Sequence, residues 1–252
     1  MTKIVTARPR SGAWKYKAAS SESGSSSIKF WKEPCPGFAT RQPHQKNAKT
    51  ARGSTVHEVT VVFHESELEH RVSTLIQARR DVQELHSQYP VMGYVDADGV
   101  GRKHIFDYYV VLKSGVRLAI AVKPFKKKAA MQDVLERIQR AGMECIGTLG
   151  EIETRHPDIK LRLLTEVEAN IDAFLNAMNI LRARSHYNEN EYLALANEIK
   201  NCPGHFRFGQ LFKNCTSRSS RWTAAWSLID HEIIRPVNPG QINELSWMTV
   251  VR

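Results

Sequence analysis

Asp107 and Lys123 are the two residues of this chain that ordinary fold chemistry explains least well. Asp107 interrupts an apolar run, His104 to Leu112 (HIFDYYVVL), and Lys123 ends another, Val116 to Lys123 (VRLAIAVK). A charge placed in such strands is costly unless it is paired or used. Ser114 and Gly115 form a turn between the two runs. Neighbouring strands would therefore bring a carboxylate and an ammonium to one end of a sheet, as a structural ion pair or as a site for polar chemistry. Glu69 is a third candidate. Ser66 and Glu69 have capping-box spacing, in which the carboxylate returns to the Ser66 backbone N–H. Glu69 also borders an apolar helical stripe beside Val72 and Ile76, from which it can face a site. Glu65 and Glu67 are rivals, because one step of register exchanges their roles.

Other chemistry-bearing residues have plainer explanations beside the functional ones. Lys126, Lys127 and Lys128 can contact phosphate or form a solvated charge run. Arg218 and Arg221, near the start of a C-terminal helix, are well placed for nucleic acid. Asp96 and Asp98 resemble the start of a calcium loop but lack its later ligands, so turn chemistry is the better account. The ten histidines show no metal-binding pair on a helix, and the four cysteines show no C-x-x-C. That spacing argues against a zinc site or a disulfide framework and makes a reducing compartment the default.

The elements that must position Asp107 and Lys123 are legible as patterns. Val56–Phe63 is β-branched and reads as a strand. Ser66 opens a helix to about Glu84, with Leu68, Val72, Leu75 and Ile76 on one stripe. Val91–Val95 and His104–Leu112 read as strands, and Val116–Lys123 as the most buried one. Ala129–Ala141 is a second amphipathic helix, and strands at Glu144–Leu149 and Lys160–Leu164 finish a mixed α/β core. Thr165–Ala183 reads as a linking helix. Beyond it come a helix capped at Asn188, a short helix near Phe206–Lys213, and a third from about Ser219 to His231. Strands at Ile233–Val237 and Leu245–Val251 close the chain, with Trp222, Trp226 and Trp247 assigned to the core. Three short helices and a terminal hairpin make a winged helix, a helix-turn-helix variant that usually meets DNA.

Charge sharpens the expectation. The chain has 36 Lys and Arg against 26 Asp and Glu, a net +10. Eleven of those bases and only two acids fall in residues 1–54, leaving the rest near balance. That segment, with its Ser-rich stretch at 20–27, reads as a flexible basic arm suited to a phosphate-rich partner, or simply as a solvated tail. An organellar transit peptide shares the composition. No run of 18 apolar residues exists, so no membrane span is expected.

Taken in order, Glu65 to Glu69 (ESELE), Gln88-Tyr89-Pro90, Phe106-Asp107 and Val122-Lys123 resemble the PD-(D/E)xK nuclease core, and most closely the TnsA endonuclease family of bacterial transposons. Leu164 to Glu166 and Asn176 are similar to the segment that follows the core in that family. The resemblance covers about residues 40–180. It implies a restriction-endonuclease-like mixed sheet flanked by helices over 55–168, a linking helix over 169–184 and the winged helix over 185–252. It also implies that Glu69, Asp107 and the Val122 carbonyl hold Mg²⁺, with Mn²⁺ as a substitute, while Lys123 sits beside the attacked phosphate. Hard oxygen ligands suit such a cation. Two positions depart from the family pattern: Ala121 stands where Glu, Asp or Gln is usual, and Phe106 where proline often precedes the acid.

The function implied is cleavage of phosphodiester bonds at transposon ends in double-stranded DNA. A DDE-type transposase and an ATP-dependent regulator would be the partners, in the bacterial cytoplasm at the nucleoid. The rival reading is a DNA-binding adaptor that keeps the nuclease fold without its activity, and Ala121 is the residue favouring it. A third is a winged-helix regulator carrying an unrelated α/β domain.

Overall fold

The structure, a computed structural model, describes residues 32–41, 52–146, 152–155, 157–202 and 204–251. Of the basic arm expected over 1–54, residues 1–31 and 42–51 lie outside the described residues. Where a single strand was expected over Val56–Phe63, the chain forms a hairpin of β1 (Gly53–His57) and β2 (Thr60–His64). Glu58, at φ 53°, makes its turn. Helix α1 (Glu67–Ala78) follows, capped by the Ser66 side chain, which accepts the Glu69 N–H.

The helix ends well before Glu84. Arg79 leaves the helical conformation at ψ 140° and pairs with Asp81, two residues on, at 2.9 Å. A helix would point residues two apart in different directions. Val82–Ser87 is instead strand β3. A register shift between Val82 and Glu84 adds an unpaired residue, which breaks the alternation by which a strand is recognised.

Next come β4 (Val91–Val95), β5 (Gly101–Ile105), β6 (Tyr108–Leu112) and β7 (Arg117–Val122). The strand expected over His104–Leu112 is thus two, because the chain changes sheets at Phe106 and Asp107. A 3-10 turn, Phe125–Lys127, leads into α2 (Lys128–Arg140). Strands β8 (Glu144–Ile146), β9 (Ile152–Arg155) and β10 (Ile159–Leu164) follow. Residues 147–149, expected to extend β8, lie outside the described residues.

The sheet that brings Asp107 and Lys123 together has the order β10-β7-β6-β3. β10 runs parallel to β7, while β6 is antiparallel to both β7 and β3, so the sheet is mixed. Alternate residues of β7 serve its two faces. Ala119 and Ala121 pack in one cluster with Met131, Leu135 and Ile138 of α2. Ile120 and Val122 pack in the other with Val72 and Ile76 of α1. Four strands in the order β5-β4-β8-β9 form a second sheet.

Helix α3 (Ile171–Ser185) begins at the Asn170 cap, not at Thr165. Before it, the Glu168 carboxylate accepts both the Thr165 N–H and its hydroxyl, at 2.8 and 2.7 Å, closing a turn. Helix α4 (Glu189–Lys200) is capped by Asn188 as its spacing predicts. The short helix expected near Phe206–Lys213 is instead β11 (His205–Arg207) and a 3-10 turn, Phe208–Phe212. Helix α5 (Arg218–Asp230), β12 (Ile234–Pro236) and β13 (Trp247–Val250) complete the chain, with sheet order β11-β13-β12. Trp226 is central to their core with Leu195, Phe208, Ile234 and Met248. Trp247, expected in the core, is 42% exposed and lies under the Arg207 guanidinium, 4.0 Å from its ring centroid. The mixed α/β class read from the sequence is the class observed. Among the described residues no helix is long and apolar enough to cross a membrane.

Candidate functional site

Asp107 is the residue immediately before β6. Continuing the β6–β7 register (Tyr109 with Ala119, Tyr108 with Ile120) sets it opposite Ala121. Its Oδ2 accepts the Val122 N–H at 2.7 Å and lies 3.4 Å from the Lys123 Nζ. Lys123 also donates to the Val122 carbonyl at 3.0 Å. The carboxylate and the ammonium therefore meet at one sheet end. Asp107 is buried, and burial raises its pKa above the ordinary carboxyl value, although the Lys123 charge and the Val122 N–H pull it down. Its Oδ1 makes no hydrogen bond among the described residues.

Glu69 caps α1 and lies near enough to this site for the Asp107 charge to act on it. Its Oε2 accepts the Glu65 N–H at 2.7 Å and its Oε1 the Ser66 hydroxyl at 2.9 Å. The cap thus closes one residue earlier than the Ser66 N–H expected. Burial raises the Glu69 pKa, and the Asp107 charge raises it further. Tyr108 ties the two elements together by donating its hydroxyl proton to the Glu69 carbonyl at 2.9 Å. Of the rivals, Glu67 is exposed and pairs with Arg71, while Glu65 pairs with Arg41 at 3.0 Å.

Three residues of this neighbourhood have no site role in the sequence reading, although Gln88 lies in the Gln88-Tyr89-Pro90 piece. Gln88 is 1% exposed and left-handed at φ 55°, an uncommon conformation for a residue with a side chain. Its N–H donates to the Asp107 carbonyl at 2.9 Å, and its Oε1 accepts from Arg41 Nε at 2.8 Å. Its Nε2 has no hydrogen-bond partner among the described residues. Arg41 arrives from a separate stretch of chain. His104 is depressed to about 4 by burial and then by the Lys123 charge.

The remaining candidates divide. Lys126 and Lys127 are exposed just past Lys123, and the Lys128 ammonium lies 5.5 Å from the Phe125 ring centroid. Glu166 fixes this turn by accepting the Phe125 N–H at 2.8 Å. Arg218 is exposed at the first turn of α5, pairs with Glu244 and lies over Phe212. Arg221 does not reach solvent. It is buried, with Nε 2.5 Å from Glu191 and Nη1 2.8 Å from Glu198, both on α4, so the expectation that it contacts nucleic acid is corrected to an internal ion pair. Asp96 closes its own turn, accepting the Asp98 and Val100 N–H groups and pairing with Arg102 at 2.7 Å.

Oxygen donors available to a hard cation at the sheet end are the Glu69 and Asp107 carboxylates and the Val122 carbonyl. Among the described residues no group of three or more His, Cys, Asp or Glu is arranged to hold a metal. Two carboxyls and a lysine at one sheet end can bind a cation, orient a phosphate and hold a proton. Among known proteins, no family model matches the chain and no curated protein is similar to it in sequence.

Proposed function

We propose that this chain is a divalent-metal-dependent DNA endonuclease resembling the TnsA family, acting on phosphodiester bonds at transposon ends. The observation that carries the reading is the meeting of Asp107 and Lys123 at the end of a mixed sheet, with Glu69 on α1 near enough for the Asp107 charge to act on it. The sheet has α1 on one face and α2 on the other, as a restriction-endonuclease-like core requires. The C-terminal order helix, strand, 3-10 turn, helix and two strands, with the first strand pairing to the last, supports a winged helix. Double-stranded DNA, a DDE-type transposase and an ATP-dependent regulator are the partners that follow, with a place at the bacterial nucleoid.

The donor set fits Mg²⁺ or Mn²⁺. Burial keeps both carboxyls raised, and the Asp107 charge raises Glu69 further, a cost that a bound dication would relieve. Glu69, Asp107 and the Val122 carbonyl would hold it, and when bound it lowers the pKa of its water and offsets charge on the leaving oxygen. Lys123, one-third exposed, turns its ammonium to a phosphate oxygen and stabilises the charge that develops there. The Val122 N–H keeps Asp107 oriented. Lys126 and Lys127 extend the positive surface along the DNA backbone.

Asp107→Ala is expected to abolish Mg²⁺-dependent nicking of supercoiled plasmid while DNA binding persists, and Lys123→Ala to lower nicking at least about a hundredfold. The assay is run with the chain alone and with its partner transposase. Undiminished nicking in Asp107→Ala would remove that residue from the mechanism.

A second reading, the DNA-binding adaptor, is favoured by Ala121, which offers no side-chain ligand beside Asp107. It predicts silence from the natural chain, partner included. Cleavage gained by Ala121→Gln would then mark a fold whose chemistry has been switched off.

A further inference from the structure

Residues 32–41 form a short segment laid across the edge of the body beside the candidate site. Cys35 bridges to the second hairpin strand, its N–H donating to the Val59 carbonyl at 2.9 Å while its own carbonyl accepts the Val61 N–H at 2.8 Å. Gly37, left-handed at φ 59°, lies so close to the His86 ring that a Cβ there would collide with it. Phe38 packs on His86 and Tyr89, with centroids 4.3 and 5.2 Å apart. The Thr40 hydroxyl donates to the Gln88 carbonyl at 2.8 Å. These backbone and ring contacts fix the segment without help from any charge.

Arg41 is the side chain that this anchoring delivers. Its Nε donates to the Gln88 side chain at 2.8 Å and its Nη2 to Glu65 at 3.0 Å. Gln88 in turn binds the Asp107 backbone, and the Arg41 charge acts on the Asp107 carboxyl. A pair of this exposure, 48% for Arg41, adds little to stability. The Nη1 group makes no hydrogen bond among the described residues. A planar guanidinium with donors to spare, held beside carboxylates, suits a phosphate. A polyanion approaching Glu65, Glu69 and Asp107 also needs cations at the rim, and Arg41 adds one to Lys123, Lys126 and Lys127.

We infer that Arg41 is a further substrate-binding residue of the candidate site, a guanidinium brought in by the docked 32–41 segment to grip a backbone phosphate of the DNA strand being cut. This rests on the nuclease reading. The role differs from that of a basic arm, which would bind DNA anywhere along its length.

The test is steady-state nicking by the full chain, with partner transposase, comparing the natural protein with Arg41→Ala, Arg41→Gln, Arg41→Lys, Gly37→Ala and Asp107→Asn. Arg41→Ala and Arg41→Gln are expected to lower kcat/KM about tenfold or more, chiefly through KM, with thermal midpoints near that of the natural protein. Arg41→Lys keeps the charge but loses the fork, so it falls between them and the natural protein. Gly37→Ala, which dislodges the segment without touching Arg41, raises KM in the same way. Natural kinetics in Arg41→Gln would make the contact structural and overturn the inference. So would unchanged nicking in Arg41→Ala while Asp107→Asn is dead, which leaves the nuclease reading standing. No nicking by the natural protein removes that reading, and this inference with it.

Discussion

Ala121 shows how much a single position constrains the chemistry. It lies opposite Asp107 on the next strand, fully buried in the cluster that holds Phe106 and Met131. Phe106 is itself fully buried in that cluster. The space beside Asp107 is therefore apolar. Ala121→Gln forces a longer polar side chain into it and is expected to cost about 1–3 kcal/mol, measured by chemical denaturation; an unchanged midpoint would mean the site has room for a ligand. His64 makes a separate point about pH. It is buried and stacks on His70 at 4.5 Å. Burial, then the His70 charge, lowers its pKa from 6.5 to about 4. The unfolded chain thus takes up this proton near pH 6.5, whereas the folded chain resists until about 4. The stability that His64 contributes is full above 6.5 and lost as pH falls through that window. Thermal midpoints from pH 7 to 4.5 should fall, and fall less in His64→Gln. Equal slopes in both proteins would exclude His64 as a cause.

At the scale of elements, the informative contacts are those that fix loops to helices. Asn176, on α3, reaches the loop between β12 and β13. Its Nδ2 donates to the Gly240 carbonyl and its Oδ1 accepts the Ile242 N–H, both at 2.9 Å. One amide side chain thus ties down two backbone groups of the loop and sets its path. Asn176→Ala is expected to cost about 1 kcal/mol and to speed amide hydrogen exchange at Ile242, leaving the amides of β7 unchanged. Exchange at Ile242 as slow as before would show that the loop holds itself.

Across the whole molecule, Arg184 on α3 joins the end of α1 to α5. Its Nη1 and Nη2 donate to the Gln77 and Ala78 carbonyls at the end of α1. The same guanidinium grips buried Asp230 on α5, with Nε 2.9 Å from Oδ2 and Nη2 2.6 Å from Oδ1. The exposed carbonyls at a helix end need such donors, and a buried carboxylate left without its partner is expensive. Arg80 is a poor substitute, 3.7 Å from Asp230. Arg184→Ala is expected to destabilise the protein by about 2 kcal/mol or more and to separate one calorimetric transition into two. A single transition at the natural midpoint would remove Arg184 as the joint.

What the sequence determined by itself was local. The meeting of Asp107 and Lys123 follows from two apolar runs joined by Ser114 and Gly115, because a tight turn fixes which residues face each other. Helix α2 and the Asn188 cap were legible for the same reason: period and spacing act within one turn of chain. Tertiary structure decided the rest. Val82–Ser87 is a strand because β6 offers it a partner, although its bulge hides the alternation. Arg221 is buried because two carboxylates on α4 come to meet it. Arg41 reaches Gln88 across 47 residues, a pairing that folding alone brings about, since no local pattern encodes contacts between segments that meet only when the core is assembled.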